Sequence, residues 1–220
     1  MRAFRLQPFA LAAAFAAALC AAAVRAGEPD WRAECPAEVR EGDIVLRRGD
    51  GIWTRFFVNA SEHDRRFSHV GIAVTAGKSP VIVHAEADDS GANGFVKAQP
   101  WSEFHKGSFM AGVYRIPGPE PLGRKIAEAA EKRIGTPFDP LFRLDDESRL
   151  YCSQLVRDAV NEAAGKELVR ASLKNGTPIV AIDACYLGIA EKIFEAGEPP
   201  AERFGAAIST RTATKGAPSP

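Results

Sequence analysis

The residue with the clearest chemical potential is a cysteine at the start of a predicted helix. Cys152 follows a polar loop and precedes residues 153–164, whose apolar positions recur at helical spacing. Unpaired backbone N–H groups and the dipole at a helix N-terminus favour a thiolate, which predicts a lowered thiol pKa. The same N–H groups can bind the oxyanion that forms when a thiolate attacks a carbonyl. We therefore interpret Cys152 as a candidate nucleophile, with a small buried apolar residue as the alternative.

A nucleophilic cysteine needs a base, and a histidine stands at the start of the strongest strand pattern. Over residues 68–74, apolar side chains alternate with His69, Gly71 and Ala73. Alternation with a period of two places these three residues on one face of a strand. Because Gly71 and Ala73 are small, another element can approach that face. His69 is therefore the candidate base.

A second strand supplies candidates for a group that orients the His69 ring. Residues 81–86 form an apolar strand pattern, and a turn containing glycine and proline separates it from the first strand. This arrangement predicts an antiparallel hairpin. His84 and Glu86 share one face of the second strand, and either can hold the imidazole in position, which is the third role in such a site.

The elements that must carry these residues are strands followed by helices. Strand patterns cover residues 42–47, 68–74, 81–86, 94–97 and 111–116, and helical spacing covers 119–133, 153–164 and 179–196. Residues 52–59 fit either a short helix or a strand. Strands first and helices afterwards predict a single α+β domain.

Composition excludes several classes of function. A chain of 220 residues that is 46% hydrophobic is long enough to form a globular domain with its own core. The 28 Lys and Arg residues equal the 28 Asp and Glu residues, so there is no excess of positive charge for nucleic-acid binding. Histidines and cysteines are too scattered for a spaced metal motif, and no C-x-x-C pair supports a redox role. We expect neither a metal nor another cofactor.

The two ends of the chain differ in composition from the middle. Two arginines in the first five residues precede an alanine-rich apolar run, and small residues precede Gly27, as in secretory signals. We predict a signal peptide at 1–26, the folded domain at 27–208 and a disordered tail at 209–220. The protein is expected to be exported, periplasmic or secreted, without stable membrane insertion after signal removal.

Removal of the signal peptide leaves three cysteines. An oxidising compartment favours pairing of thiols, so if Cys152 is the free nucleophile, Cys35 and Cys185 are expected to form a disulfide. The bridge would close a loop of ~150 residues between the N-terminal leader and the predicted helix at 179–196. A buried free thiol is the alternative for Cys185.

Five short motifs occur in an order that resembles a known group of enzymes. They are G-D-I-V-L at 42–46, F-S-H-V-G-I at 67–72, V-I-V-H-A at 81–85, G-T-P-F-D at 135–139 and Y-C-S-Q-L-V at 151–156. Together they resemble the circularly permuted papain-fold hydrolases, which are YiiX/YebB-like amidases of the NlpC superfamily. In that group the histidine strand precedes the cysteine helix, as it does here. The resemblance implies a permuted papain-like α+β fold with an antiparallel sheet packed against helices.

The resemblance also implies a role for each matching residue. Cys152 takes the place of the nucleophile and His69 that of the base. The third polar residue falls on His84, where many relatives have glutamate, so Glu86 remains the alternative third residue. Independently of the resemblance, Tyr151 precedes Cys152 directly and is a further candidate for contact with the substrate oxyanion.

The expected reaction is acyl transfer to water through an acyl-enzyme on Cys152, with an amide, ester or thioester as substrate. Export and the superfamily together favour a cell-wall substrate, the peptidoglycan stem peptide. The group that this chain resembles is related to the lecithin retinol acyltransferases, and that relationship favours a lipid acyl group instead. A non-catalytic binding module that keeps the fold is the third hypothesis, and the presence of both Cys152 and His69 argues against it.

Overall fold

A computed structural model of the chain describes residues 30–76 and 79–200. The predicted signal peptide at 1–26 and the predicted tail at 209–220 lie outside the described residues. Across the described ranges, no helix has both the length and the apolar character needed to span a membrane.

A six-stranded antiparallel sheet forms the centre of the fold. Its strands are β1 (Ile44–Arg48), β2 (His69–Ala76), β3 (Ser79–Ala87), β4 (Gly94–Pro100), β5 (Met110–Arg115) and β8 (Glu191–Gly197), in the spatial order β4-β3-β2-β1-β5-β8. The hairpin predicted around His69 and His84 is confirmed, because β2 pairs antiparallel with β3. A separate two-stranded hairpin consists of β6 (Ser172–Lys174) and β7 (Thr177–Ile179).

The helices are short except for two that follow the first five strands. They are α1 (Thr54–Ala60), α2 (Trp101–Phe104), α3 (Pro121–Glu131) and α4 (Cys152–Ala164). The undecided segment at 52–59 is thus largely helical, and the two helices predicted at 119–133 and 153–164 are confirmed. Gly165 ends α4 with a φ of 64°, a left-handed conformation that suits glycine. The α+β class is confirmed.

Alternation along the strands separates two layers of apolar side chains. Ile72 and Val83 belong to the larger cluster, which the apolar faces of α3 and α4 complete. Ala73 and Ile82 point the other way, into a smaller cluster with Trp101 of α2. Burial of both sheet faces is the main source of stability expected for such a domain.

The prediction of a helix at 179–196 is wrong. The segment contains a 3₁₀ helix (Asp183–Cys185), a turn at Gly188 with a φ of 76°, and then the edge strand β8. The Asp183 carboxylate accepts hydrogen bonds from the backbone N–H groups of 62–64, which ties the 3₁₀ turn to a distant loop. Because β8 gains its hydrogen bonds from β5, tertiary pairing overrides the local helical spacing.

The expected disulfide between Cys35 and Cys185 is contradicted as well. Both residues are free cysteines. Cys185 is buried in the larger cluster, whereas Cys35 packs against the smaller cluster on the opposite face of the sheet. The sheet therefore lies between the two thiols, and the alternative of a buried free thiol describes Cys185.

Candidate active site

Cys152 and His69 occupy the first positions of two elements that pack together. Cys152 is the first residue of α4 and His69 the first residue of β2, and α4 packs on β2. Both side chains line one cavity of about 530 Å³. The thiol itself is buried, with 1% of the residue exposed. The structure thus brings together the two residues that the sequence singled out for nucleophile and base.

The expectation that the Cys152 pKa is lowered is wrong for the resting structure. Burial raises the pKa of the Cys152 thiol to about 12, although the backbone N–H groups of Val70 and Ser153 and the Arg47 guanidinium act in the opposite direction. Desolvation disfavours the charged thiolate more than these groups stabilise it. At neutral pH Cys152 is therefore a thiol, and a nucleophilic role for it requires a base that takes its proton.

His84 holds the His69 ring. His69 Nε2 lies 2.8 Å from His84 Nδ1, and the two rings meet edge to face with centroids 5.0 Å apart. His84 is fully buried, and Phe104 of α2 packs against both rings. Because the hydrogen bond to His84 uses Nε2, Nδ1 is the His69 nitrogen that this bond leaves available.

Burial keeps both imidazoles neutral. It lowers the pKa of His69 well below the ordinary value, and the positive charge of Arg47 acts in the same direction. Burial also lowers the pKa of His84 to about 4. A group with a lowered pKa is deprotonated at neutral pH, so His69 is present in the basic form that a proton acceptor requires.

Glu86 has a different set of partners from His84. It forms ion pairs with Arg47 of β1 and with Lys97 of β4, the latter at 2.9 Å. Burial acts to raise the pKa of Glu86, but the positive charge of Arg47 and the hydrogen bond from Lys97 oppose this effect, and the pKa is lowered overall, so the carboxylate is ionised. Of the two candidates for the third role, His84 is therefore the one that makes the direct hydrogen bond to His69.

Three residues around the histidine pair were missed by the sequence interpretation. Arg47 and Lys97 bind Glu86, and Gln99 Oε1 lies 2.7 Å from His84 Nε2. Lys97 and Gln99 are two residues apart on β4, opposite His84 and Ile82 of β3. Two polar residues on one face of a strand were the available signal, but their partners depend on the strand pairing.

The same cluster contains the residues that could hold a metal ion. One donor atom from each of His69, His84 and Glu86 lies within 4.8 Å of the others. However, Arg47 and Lys97 both place positive charge on the Glu86 carboxylate, and the two histidines already bond to each other. A cation would have to displace these partners, so the donor set fits a metal ion poorly.

Tyr151 does not occupy the position expected of a substrate-binding residue. Its side chain is fully buried, and its hydroxyl accepts a hydrogen bond of 2.9 Å from the backbone N–H of Val180. Its ring packs against Phe57 and Phe142. Tyr151 is absent from the cavity lining and instead fixes the entry of the chain into α4.

The cavity walls combine apolar and charged side chains. Ile52, Trp53, Phe57 and Phe138 form the apolar part of the lining. The charged part comes from Arg47, Glu86, Asp88, Asp89 and Lys97. A ligand with both an apolar group and charged or hydrogen-bonding groups matches such a lining.

Known proteins resemble this chain in sequence and in fold. Residues 38–177 match the family described as permuted papain-like amidase enzymes, YaeF/YiiX, C92 family. Among solved structures, the metalloprotein yiiX from Escherichia coli O157:H7 shares 20% sequence identity with this chain at a TM-score of 0.60, and the alignment covers 74% of this chain and 99% of that one. No curated protein sequence matches the chain significantly.

The matched family spans both the histidine strand and the cysteine helix, and the histidine precedes the cysteine as a permuted fold requires. The similarity to yiiX shows the same fold over nearly all of that protein. The chain therefore belongs to the YaeF/YiiX, C92 family of permuted papain-like amidases, and it is a cysteine hydrolase of the amidase or peptidase type.

Proposed function

We propose that the protein hydrolyses an amide bond through an acyl-enzyme on Cys152, with His69 as base and His84 as the group that orients it. The observation that carries this proposal is the placement of Cys152 and His69 on one cavity, with His69 hydrogen bonded to His84 behind it. Nucleophile, base and orienting group are the three parts that cysteine hydrolases need.

The first half of the reaction forms the acyl-enzyme. As Cys152 Sγ attacks the carbonyl carbon, His69 Nδ1 takes the thiol proton. The oxyanion accepts hydrogen bonds from unpaired backbone N–H groups at the start of α4, where the helix dipole also favours negative charge. His69 Nδ1–H then protonates the leaving nitrogen, so that the C–N bond breaks and a thioester remains on Cys152.

The second half releases the acid. His69 Nδ1, neutral again, takes a proton from a water molecule while the water oxygen attacks the thioester carbonyl. The C–S bond breaks and the proton on His69 returns to Cys152. The Glu86 carboxylate near the rings stabilises the transient positive charge on the histidine pair, because opposite charges attract strongly in a partly buried site.

Peptidoglycan stem peptides are the substrate class we propose first. They carry amide bonds and charged groups, and the cavity presents Lys97, Asp88 and Asp89 for such groups. The signal-like composition of residues 1–26 supports export to the compartment where the cell wall lies. We accordingly propose a periplasmic or secreted location.

A lipid acyl group is the second candidate, and a specific feature of the cavity favours it. Ile52 and Phe56 are 64% and 37% exposed beside the apolar wall formed by Trp53 and Phe57. Exposed apolar side chains next to a catalytic cavity suit a long alkyl chain. The same thiol chemistry would then cleave an ester or a thioester.

The description of yiiX as a metalloprotein raises the question of a metal in this chain. His69, His84 and Glu86 are the residues that would bind it, although Arg47 and Lys97 compete for Glu86. The proposed reaction assigns the metal no step. Activity that persists after dialysis against a chelator is the expected result.

The test incubates the purified chain with a synthetic stem pentapeptide and, separately, with a palmitoyl ester and a palmitoyl amide. Products and covalent adducts are identified by mass spectrometry, with Cys152→Ala as the matched control. Cleavage of the peptide, with an acyl adduct that the control lacks, supports the first proposal. Cleavage of the palmitoyl substrates alone shifts the assignment to the second candidate. A folded protein that binds but cleaves none of them would point to a binding module.

A further inference from the structure

Gln99 continues the line of hydrogen bonds that starts at the active-site histidine. It lies on β4, where it pairs with Ile82 of β3, and its Oε1 atom is 2.7 Å from His84 Nε2. His84 Nδ1 in turn is 2.8 Å from His69 Nε2. The three side chains therefore form one chain of two hydrogen bonds across three adjacent strands, β4, β3 and β2.

The amide oxygen decides where each ring carries its proton. A glutamine Oε1 only accepts, so the hydrogen in the first bond must be on His84 Nε2. A neutral imidazole has one N–H, and His84 Nδ1 is then a bare acceptor. His69 must consequently donate from Nε2, which leaves His69 Nδ1 without a proton.

We propose that Gln99 is a positioning residue that selects the reactive tautomer of His69 through His84. The proposal rests on the function proposed above, in which His69 Nδ1 takes the Cys152 proton. In the opposite arrangement the ring would carry a hydrogen on Nδ1 and could not accept the thiol proton. Water does not compete for the hydrogen bonds of His84, because His84 is fully buried and packed against Phe104.

The need for this selection follows from the resting state of the site. The thiol is protonated and both imidazoles are neutral, so no ion pair between Cys152 and His69 sets the tautomer beforehand. The tautomers of the two rings are then determined by their hydrogen bonds, and the bond at His84 Nε2 fixes the proton positions on both rings. Gln99 is the residue that bonds to that nitrogen of His84.

Long-range ¹H–¹⁵N correlation spectra of the histidine rings test the proposal directly. The chain as it stands is compared with Gln99→Leu, which removes the acceptor, and with Gln99→Glu, which keeps an acceptor at the same reach. We expect both His69 and His84 to be Nε2–H tautomers in the unaltered chain and in Gln99→Glu. In Gln99→Leu, Nδ1–H forms should appear, since a buried Nε2–H then lacks a partner. An Nδ1–H ring in the unaltered chain, or unchanged tautomers in Gln99→Leu, would overturn the proposal.

A kinetic measurement links the tautomer to reactivity. Acylation of Cys152 by p-nitrophenyl acetate releases one p-nitrophenol and forms a thioester, and its rate constant is read from the burst. We expect the acylation rate constant to fall about tenfold in Gln99→Leu, because the energy of one hydrogen bond no longer favours the reactive tautomer. In Gln99→Glu the rate constant should recover. Ala98→Thr, an exposed change on the same strand, controls for strand damage. A purely structural role would lower thermal stability in Gln99→Leu without this recovery, which would count against the proposal.

The two hypotheses fail in different ways. A missing burst in the unaltered chain would count against the proposed function, because the thiol would then not form an acyl-enzyme. The tautomer spectra need no catalysis, and they decide the role of Gln99 even in Cys152→Ala.

Discussion

Arg47 on β1 and Glu86 on β3 form an ion pair across β2, the strand that lies between them and carries His69. Lys97 on β4 binds the other oxygen of the same carboxylate. Four neighbouring strands thus contribute to one electrostatic unit around the candidate base. The cations satisfy Glu86, and the hydrogen bond to His69 comes from His84 instead.

The contacts of the two third-residue candidates predict unequal effects on catalysis. His84→Ala removes the direct partner of His69 and should lower kcat by roughly 10²-fold or more, which is the scale of a misplaced general base. Glu86→Ala should lower kcat less, because Glu86 acts on the rings only through its charge. The measurement is kcat for both variants with the substrate found above. A larger loss in Glu86→Ala would transfer the orienting role to Glu86.

The buried thiol predicts slow alkylation at neutral pH. Burial raises the pKa of Cys152 to about 12, so iodoacetamide at pH 7 should react at least ~100-fold more slowly with Cys152 than with a free small thiol of ordinary pKa. The rate should keep rising as pH increases from 7 to 9. Peptide mass mapping measures it at each pH, and alkylation of the exposed chain in urea is the control. A reactivity plateau between pH 5 and 7 would instead reveal a preformed thiolate–imidazolium pair.

His105 predicts how folding stability changes with pH. The residue is fully buried beside Trp101, and burial lowers its pKa to about 3. Neither ring nitrogen has a hydrogen-bond partner among the described residues. In the unfolded chain His105 takes up a proton below about pH 6.5, whereas in the folded chain it stays neutral down to about pH 3. Protonation therefore favours the unfolded chain, and the free energy of unfolding decreases as pH falls from about 6.5 to about 3.

Replacement by an apolar ring should remove that pH dependence. Between pH 7 and pH 5, His105→Phe should lose about 2 kcal/mol less unfolding free energy than the unaltered chain. Urea denaturation at both pH values measures the difference. His63→Gln, a change at an exposed histidine, is the matched control. Equal losses in His105→Phe and the unaltered chain would show that His105 titrates normally in the fold.

Gly71 predicts a strict size limit between the two histidine strands. A Cβ atom at this position would lie 2.7 Å from Ile82 Cγ2, 2.9 Å from the Val83 carbonyl oxygen and 3.0 Å from His84 Cβ. Gly71→Ala should therefore destabilise the fold by about 1–3 kcal/mol and displace His84. Gly51→Ala, where no atom lies within 4 Å, is the stability control. A Gly71→Ala protein with unchanged urea midpoint and unchanged ring spectra would disprove the limit.

The sequence by itself determined the elements that carry the candidate site. Alternation over 68–74 placed His69, Gly71 and Ala73 on one face of β2, and helical spacing after Cys152 placed the thiol at the start of α4. These features are local, because strand and helix periodicity depend on near neighbours along the chain. The order of the motifs also indicated a permuted papain-like family, which the comparison confirmed.

Only the tertiary structure decided the electrostatic state of these residues. Burial under packed elements raised the Cys152 pKa against the effect of the helix N-terminus. The pairing of β3 with β4 placed Lys97 in an ion pair with Glu86 and Gln99 in a hydrogen bond with His84. Likewise, hydrogen bonding to β5 made part of 179–196 the strand β8, and the sheet separates Cys35 from Cys185. Each outcome depends on groups distant in sequence, since desolvation, strand pairing and thiol separation are fixed only when the chain packs.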